Sequence, residues 1–320
     1  MINLIWWKFE PHSSYEYDWL GLLLSDFKVN HIVDFENGVC VDNAIIVANL
    51  SQAFFTGKNY GEERQQFYNY IKRFKAAGMK VGLFHLGDEF YRESTGFYQD
   101  LNFVFRQYHK EEDHKKYKNC HYLPIGYKSG FCNELVDRPI HQRDYLWSFA
   151  GHLKGSRYEM MKYAKSIPGG KYHTTNQWND PNGLKTKEYA ALLNNTKFSL
   201  CPMGNYSVDC FRVYESLEAG TIPIIEAKDI RQALAVLFNP QLVIRYGRRD
   251  KNFWLRNYRY WEKSFPSDFP CPLIYNWRDL EVLMGSIDVE RLSEKVQLWW
   301  KDYKQSLIQL VQLTVKESFF

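Results

Sequence analysis

The stretch FSLCPMGNYSVDCFRVYESLEAGTIPII, residues 198–225, decides the fold class of this chain. It predicts a short apolar strand that ends at Cys201, a loop, a helix over residues 208–219 that Gly220 closes, and a second strand over residues 221–225. A strand, a helix and a strand in this order form a βαβ unit, in which the two strands run parallel. The sequence therefore predicts an α/β protein with a parallel sheet.

The same alternation continues upstream and predicts two successive α/β halves. The predicted strands and helices are, in order, residues 43–49, 62–77, 80–86, 102–106, 121–124, 145–150, 156–166 and 186–194. A length of 320 residues leaves room for about two domains, with a junction between Ile125 and Arg143. We therefore predict domains at residues 1–135 and 136–290 and a helical segment at residues 291–320.

A long helix is predicted over residues 289–315, where an apolar stripe includes Leu310 and Leu313. We expect this stripe to pack in the core, although Trp299 and Trp300, with lysines nearby, leave contact with a membrane surface open. A basic cluster is predicted to be a solvated face, with contact to an anionic, lipid-linked acceptor as the alternative. Its members are Arg245, Arg248, Arg249 and Lys251.

The composition is that of a folded globular protein. Hydrophobic residues make up 45% of the chain and charged residues 24%, which excludes a disordered chain, a collagen-like fibre and a coiled coil. Aromatic residues make up 17%, an excess that suits both a large core and a sugar-binding cleft. The net charge of +4 is too small to indicate a nucleic-acid partner, and none is predicted.

Targeting signals and metal motifs are not recognisable in the sequence. The longest apolar runs, such as residues 20–24, are far shorter than the roughly 20 residues that a membrane helix needs. The N-terminal MINLIWW predicts a first strand rather than a signal peptide. The six cysteines form no CxxC pair, so neither zinc nor redox chemistry is indicated. We predict a reduced, cytoplasmic protein, with peripheral membrane association left open.

The first half carries one candidate catalytic cluster, in the segment FHLGDE at residues 84–89. His85, Asp88 and Glu89 follow a predicted strand, where parallel sheets bind ligands, and they suit a general base or a ligand for a substrate hydroxyl. The alternative is structural: Asp88 caps a helix and His85 packs in the core. A carboxylate is favoured as the base, because it is ionised at neutral pH.

Two further side chains are candidates for the acceptor side. His12 follows the first predicted strand and is a rival base, although a solvated loop histidine is the simpler interpretation. Arg106 ends another strand, where an ion pair at a domain interface is an equal alternative.

The second half carries a candidate phosphate site in FAGHLKGSR, residues 149–157. A strand, a turn at Gly151 and His152 and the start of a helix present backbone N–H groups and the positive end of a helix dipole to an anion. Lys154 and Arg157 add charge-assisted contacts. Neither a GxxxxGK[ST] nor a GxGxxG motif is present, so this signal alone is weak.

The strongest candidate site lies in the opening stretch. Arg212 and Glu215 are three residues apart and share one face of the predicted helix. The arginine can reach a phosphate at the helix N-terminus, and the carboxylate can accept both hydroxyls of a ribose. Gly204 and Ser207, in the preceding loop, are assigned to the same donor-nucleotide site. The alternative is an internal Arg–Glu ion pair.

Residues 198–225 resemble the signature of exostosin-type (GT47-like) glycosyltransferases, in which the loop, helix and strand occur in this order. Four upstream segments are similar to the ribitol xylosyltransferase-like branch of that family. They are FHLGDE at 84–89, FVFRQY at 103–108, LPIGYKSG at 123–130 and LWSFAG at 146–151. The resemblance covers residues 80–226, and a departure from it is Cys210, where the family often has Ser or Thr.

The resemblance implies a GT-B fold, in which two Rossmann-like domains face a cleft and the C-terminal one binds the nucleotide sugar. It implies inverting, metal-independent transfer from a nucleotide-diphosphate sugar, a UDP-sugar first, to a glycan or glycolipid acceptor, with no cofactor. By position, Arg212 and Glu215 would bind diphosphate and ribose, while Gly151, His152 and Arg157 would border the diphosphate. The last helix would pack back across the domains.

Two alternatives to a transferase remain at this point. A GT-B sugar-nucleotide epimerase would act on the donor alone, without an acceptor groove. A non-catalytic module would bind sugar nucleotides or glycans without turnover.

Overall fold

The computed structural model describes residues 1–50, 60–177, 180–229 and 251–320. The chain forms two compact units: unit 1 comprises Met1–Ile125 with Lys304–Phe320, and unit 2 comprises Gly126–Tyr303. The domain bounds proposed from the sequence stay a prediction. Arg245, Arg248 and Arg249 of the predicted basic cluster lie outside the described residues, and the side chain of Lys251 is likewise not described.

Unit 1 is built on a six-stranded parallel sheet with the order β2-β1-β3-β4-β5-β6. Its strands are β1 (Ile2–Trp7), β2 (Val29–Asp34), β3 (Ala44–Asn49), β4 (Val81–Leu86), β5 (Phe103–Arg106) and β6 (Cys120–Tyr122). The central strands β3 and β4 are nearly continuous apolar runs, because both faces of a parallel sheet are covered.

The helices of unit 1 are α1 (Tyr17–Leu23), α2 (Tyr60–Ala76) and α3 (Glu111–Lys116). Along α2, Phe67, Ile71 and Phe74 recur at helical spacing, and all three are fully buried in the core that β3 and β4 share. The helix ends before Gly78, which has a positive φ of 67° and so turns the chain towards β4.

Unit 2 contains a five-stranded parallel sheet with the order β11-β10-β9-β7-β8. Its strands are β7 (Tyr145–His152), β8 (Gly170–Thr175), β9 (Thr196–Cys201), β10 (Ile222–Glu226) and β11 (Leu273–Ile274). The helices are α4 (Ser156–Ala164), α5 (Thr186–Asn194), α6 (Phe211–Glu218), α7 (Lys251–Asn257), α8 (Tyr260–Ser264) and α9 (Leu280–Gly285). The last helix, α10 (Val289–Phe319), belongs to unit 2 up to Tyr303 and to unit 1 from Lys304. The prediction of two successive parallel α/β units is confirmed.

Each sheet reverses its strand order at one point, and this point marks where ligands bind. In unit 1 the chain moves outward from β1 to β2 and then returns to β3 on the other side of β1. In unit 2 it moves from β7 to β8 and returns to β9 on the other side of β7. Crevices beyond the carboxyl ends of strands at such switch points are the ligand sites of open α/β sheets. The carboxyl ends of β1 and β3, and of β7 and β9, are therefore the expected ligand-binding edges.

Helix α6 begins at Phe211, three residues later than the sequence predicts. Cys210 is extended and precedes the helix as its N-cap. The carboxylate of the buried Asp209 accepts hydrogen bonds from the hydroxyls of Tyr214 at 2.8 Å and Tyr260 at 2.7 Å. These hydrogen bonds hold Asp209 outside the helix.

The interpretation of Trp299 and Trp300 as a membrane-contacting pair is wrong. Both rings are buried, at 8% and 3% exposure. Trp299 meets Phe265 edge to face at 5.6 Å, and Trp300 lies 5.9 Å from the ring of Tyr214. Both side chains therefore take part in aromatic packing within unit 2. Among the described residues, no helix combines the length and the apolar character that crossing a bilayer requires.

Candidate functional site

The donor residues predicted from the sequence converge on one edge of the sheet in unit 2. Gly151 and His152 close β7, and the loop of residues 202–210 follows the neighbouring β9. Helix α6 starts at the end of this loop. The carboxyl ends of β7 and β9 flank the switch point, so this edge is where a parallel sheet binds its ligand.

Arg212 bridges the ends of the two strands. Its Nε lies 3.3 Å from the carbonyl oxygen of Ala150, and its Nη1 lies 3.4 Å from that of Pro202. The guanidinium sits over the ring of Phe149, 5.4 Å from its centre. The side chain is partly exposed, so a positive charge is held in place at the ligand-binding edge.

Gly151 has no side chain, and this leaves room for the guanidinium of Arg212. Its φ of 142° is rarely adopted by residues with a side chain, and a Cβ here would lie 3.2 Å from Nη2 of Arg212. The turn after β7 therefore favours glycine both for its backbone conformation and for the close approach of the guanidinium.

Glu215 lies one turn after Arg212 on α6 and is buried, with 6% exposure. Burial raises the pKa of its carboxyl to about 7, against the opposing effects of Arg212 and of the backbone N–H of Lys128. That N–H lies 3.4 Å from Oε1 of Glu215. In the described structure Arg212 and Glu215 form no ion pair with each other, so the alternative of an internal pair is wrong.

Arg157 has a different role from the one predicted. Its guanidinium is buried and donates to the carbonyl oxygens of Met203 at 2.8 Å, Gly204 at 3.2 Å and His152 at 2.9 Å. The sequence predicts a direct diphosphate ligand. The guanidinium instead donates to loop carbonyls, so Arg157 holds in place the two loops that border this edge of the sheet.

The predicted role of Ser207 as a donor-nucleotide ligand is also corrected by the structure. Its side chain is fully buried, and its hydroxyl accepts the backbone N–H of Asp209 at 3.1 Å. Its carbonyl accepts the N–H of Gly204 at 2.8 Å, which closes the loop into a turn. Ser207 therefore shapes the loop from inside.

Lys154 and His152 remain on the partly exposed surface of this edge. The ammonium of Lys154 donates to Oδ1 of Asn205 at 2.6 Å, which ties the turn after β7 to the loop after β9. Burial, Lys154 and Arg157 together lower the pKa of His152. The imidazole is therefore neutral over a wider pH range than a free histidine.

Glu226 and Asn257, which the sequence does not single out, hold the loop from below. Glu226, at the end of β10, accepts the backbone N–H of Met203 at 2.9 Å and the hydroxyl of Ser156 at 2.7 Å, and it pairs with Lys228. Oδ1 of Asn257 accepts the N–H of Val208 at 2.7 Å. No local motif marks these residues, because each acts across more than 20 positions of sequence.

In unit 1, His85, Asp88 and Arg106 form a buried network rather than an open catalytic cluster. Nη2 of Arg106 lies 2.5 Å from Oδ2 of Asp88, and both side chains are almost fully buried. Nδ1 of His85 lies 2.5 Å from the hydroxyl of Tyr98, and burial, then Arg106 and Lys110, lower the pKa of His85 well below its ordinary value.

This network corrects three assignments. Asp88 also accepts the backbone N–H groups of Arg92 at 2.8 Å and Glu93 at 3.3 Å, so with Arg106 its carboxylate accepts three hydrogen bonds inside unit 1. Arg106 is an ion-pair partner within unit 1, and His85 packs beside it. None of the three is exposed to a substrate. Glu89, which is partly exposed, and His12, which is exposed, stay candidates.

Replacing Asp88 by asparagine is expected to destabilise the protein by about 3 kcal/mol, because it leaves the buried Arg106 cation without its closest counter-charge. Urea unfolding measures this. The matched control is Asp26→Asn, which breaks an exposed pair with Lys316 and should cost less than about 1 kcal/mol. A D88N protein with unchanged stability and no transferase activity would contradict the structural role and restore Asp88 as the base.

Glu16 is a carboxylate at the carboxyl edge of the sheet in unit 1, and the sequence patterns did not indicate it as a candidate. It follows β1 by several residues, precedes α1, and is partly exposed. Its carboxylate accepts from the hydroxyl of Ser14 at 2.8 Å and from the amide of Gln107 at 3.4 Å. Burial raises the pKa of Glu16. Its position in the loop after β1 would have marked it, had the strand order been known.

Neither disulfides nor a clustered metal site is seen in the described part of the chain. All six cysteines are free thiols, and four of them are buried. Among residues 1–50, 60–177, 180–229 and 251–320, no three His, Cys, Asp or Glu side chains are grouped so that they could hold one metal ion.

Two solved structures resemble this chain at low sequence identity. The crystal structure of an α1,3-fucosyltransferase is 13% identical, with 90% of this chain and 91% of that chain covered and a TM-score of 0.41. The spinosyn rhamnosyltransferase complexed with thymidine diphosphate is 9% identical, with 98% and 99% covered and a TM-score of 0.45.

The sequence comparisons point to one family. Ribitol-5-phosphate xylosyltransferase 1 of Danio rerio is 24% identical over 192 residues, which cover 56% of this chain and 39% of that protein. The match thus spans less than half of the relative's length. Residues 132–241, which contain the edge built around Arg212 and Glu215, match the model of the RXYLT1 C-terminal domain. The resemblance predicted from the sequence is therefore confirmed: residues 132–241 are similar to the C-terminal domain of RXYLT1-type proteins.

Proposed function

We propose that this protein transfers a sugar from a nucleotide-diphosphate sugar, a UDP-sugar first, to a hydroxyl of a glycan acceptor, with inversion and without a metal. The observation that carries the proposal is the pair of Arg212 and Glu215, one turn apart at the switch-point edge of unit 2. A fixed cation suits a diphosphate, and a buried carboxylate suits the two hydroxyls of a ribose. We assign the donor to this edge and the acceptor to unit 1.

The reaction is a single displacement at the anomeric carbon. The acceptor oxygen forms a bond to this carbon while the bond from the carbon to the diphosphate oxygen breaks, and the diphosphate leaves with the electron pair. Arg212 stabilises the negative charge that develops on the leaving group, because it is held at the edge before the reaction begins. A carboxylate of unit 1 accepts the proton of the acceptor hydroxyl.

The name of the relative supports a proposal for the sugar and the acceptor. Its name assigns it the transfer of xylose to ribitol 5-phosphate. We extend this to the present chain as a proposal: the donor sugar is a pentose such as xylose, and the acceptor is a glycan that carries a phosphorylated polyol. Membership of the wider GT47 class and a cytoplasmic location remain part of the same proposal.

Calorimetric titration with UDP-, GDP-, ADP-, CMP- and dTDP-sugars, with UDP-xylose first, tests the donor assignment. We expect the uracil nucleotides to bind and the others to bind weakly or not at all. Tight binding of a different base alone would overturn the choice of UDP, and binding of none would overturn the proposed function. Release of an isomerised sugar from the donor alone would identify an epimerase instead.

Transfer is expected to survive treatment with EDTA, because Arg212 and the N-terminus of α6 supply positive charge to the leaving diphosphate. Initial rates before and after EDTA treatment, with and without added Mg²⁺ or Mn²⁺, measure this. We expect rates to agree within about twofold. Loss of activity in EDTA that a divalent cation restores would contradict the metal-independent mechanism.

A further inference from the structure

At the carboxyl edge of the sheet in unit 1, the carboxylate of Glu16 is both oriented and partly accessible. Oε2 of Glu16 accepts the hydroxyl of Ser14 at 2.8 Å, and Oε1 accepts the side-chain amide of Gln107 at 3.4 Å. Gln107 is itself anchored, because its Oε1 accepts the backbone N–H of Gly87 at 2.9 Å. Gly87 and Gln107 directly follow the paired strands β4 and β5, so Glu16 lies at the ends of these strands.

The environment of Glu16 is that of a base rather than of an ion-pair partner. Its two side-chain donors are neutral, and in the described part of the chain no Lys or Arg pairs with it. Burial raises the pKa of its carboxyl, which increases its affinity for a proton. Asp88, by contrast, is buried and is engaged by Arg106 and two backbone N–H groups. A general base works best when its pKa approaches the working pH and a neighbour orients it.

Aromatic rings surround Tyr17, the residue that directly follows Glu16 in the chain. The ring of Tyr17 lies 4.5 Å from that of His12 and 5.7 Å from that of His31, and all three are at least partly exposed. The buried Trp6 supports them from below, with its ring 5.9 Å from Tyr17. Ring faces of this kind pack against the apolar C–H faces of sugars while the hydroxyls stay free for polar groups.

We propose that Glu16 is the catalytic base for the acceptor, oriented by Ser14 and Gln107, and that the rings of His12 and Tyr17 hold the acceptor sugar or polyol beside it. This assignment rests on the proposed function. The proton of the acceptor hydroxyl passes to a carboxylate oxygen of Glu16 as the oxygen bonds to the anomeric carbon and the nucleoside diphosphate leaves with the electron pair. The proton then passes from Glu16 to solvent.

Glu16→Gln is the central variant, and Glu10→Gln is its matched control in the same loop, since Glu10 is exposed. With UDP-xylose as donor and ribitol 5-phosphate as acceptor, E16Q should lower kcat by about 10² to 10⁴-fold, the usual contribution of a general base. The Kd for UDP should change by less than about twofold, because the donor edge lies in unit 2. E10Q should match the wild type in both measurements.

Two further variants separate a catalytic from a merely structural role. Glu16→Asp keeps the carboxylate and should retain more activity than E16Q, while Ser14→Ala removes one orienting donor and should lower kcat with little change in KM. A kcat for E16Q within about threefold of the wild-type value would overturn the assignment. So would an equal loss of UDP affinity and kcat, or a melting temperature that falls in parallel with activity.

A second measurement keeps the proposal testable if the proposed function itself fails. If the wild-type protein neither binds UDP-sugars nor transfers xylose, the proposed function is wrong, and Glu16 is then examined by carbodiimide coupling and mass spectrometry. Protection of Glu16 by ribitol 5-phosphate, with Glu10 unprotected, would support an acceptor site at this edge. Equal coupling with and without the polyol phosphate would overturn it.

Discussion

Replacing Arg212 by alanine is expected to slow transfer by about 10³-fold, because the leaving diphosphate loses a preorganised cation that acts most strongly in the transition state. The guanidinium is held by the carbonyls of Ala150 and Pro202 and by the ring of Phe149, so its charge is fixed at this edge of the sheet. Binding of uridine, which has no phosphate, should be almost unchanged. Initial rates and calorimetry with uridine and UDP measure the two effects.

The control for this prediction is Arg291→Ala, which removes an exposed arginine from α10 and should leave both measurements unchanged. Arg212→Lys keeps a charge but loses the planar fork, so it should recover only part of the rate. Equal losses in uridine affinity and in kcat for R212A would contradict a role in stabilising the leaving group. They would indicate that the arginine only supports the shape of the edge.

Replacing Glu215 by alanine is expected to weaken UDP-sugar binding by about 10²-fold, because two hydrogen bonds from ribose hydroxyls to a charged acceptor are lost. The carboxylate is buried beside the backbone N–H of Lys128, so it is fixed in place before the nucleotide arrives. Glu215→Gln should give an intermediate affinity, since one amide oxygen remains. Glu294→Ala, at an exposed position of α10, is the matched control.

The raised pKa of Glu215 adds a pH signature to the same prediction. With a pKa of about 7 in the free protein, the ionised fraction, and with it the affinity for a UDP-sugar, should rise about tenfold between about pH 6 and pH 8. The diphosphate of a UDP-sugar carries no group that titrates in this range, so the profile reports the protein. A profile for Glu215→Gln as steep as that of the wild type would contradict the assignment.

The raised pKa of Glu215 also makes the stability of the folded protein depend on pH. Burial raises the pKa of Glu215 from 4.5 to about 7, so the folded state binds more protons than the unfolded state within this window. The contribution of this group to stability is therefore complete below its unfolded pKa and is lost as the pH rises through about 7. Stability of the nucleotide-free protein should decline less over this range in Glu215→Gln.

Local patterns predicted the central elements of both sheets. Strands β3 and β4 appear as apolar runs because both of their faces are covered, and the periodicity of Phe67, Ile71 and Phe74 marks α2. Strands β2 and β8 were missed. Each lies at one end of its sheet and carries polar, exposed residues, as in VNHIVD and GKYHTT, so their sequences resemble loops.

The long helix shows where a local pattern stops being sufficient. The sequence stripe includes Leu310 and Leu313, which the structure leaves 39% and 55% exposed. The buried positions here include Leu307, Val311 and Val315, because the part of α10 from Lys304 onward belongs to unit 1 and its buried face follows that unit. Which face of a helix is buried depends on the surface that it packs against. Helix α10 packs against two different surfaces, one in each unit.

By itself, the sequence determined the alternation of strands and helices and the spacing of Arg212 and Glu215, since both depend on residues a few positions apart. Strand order was decided only by the tertiary structure, because it depends on packing between segments far apart in the chain. Placing β4 beside β5 pairs Asp88 with Arg106, 18 residues away, and removes both from the catalytic candidates. The same placement carries Gln107 to within 3.4 Å of Glu16, 91 residues away, and burial there raises the pKa of a carboxyl group that no local motif distinguishes.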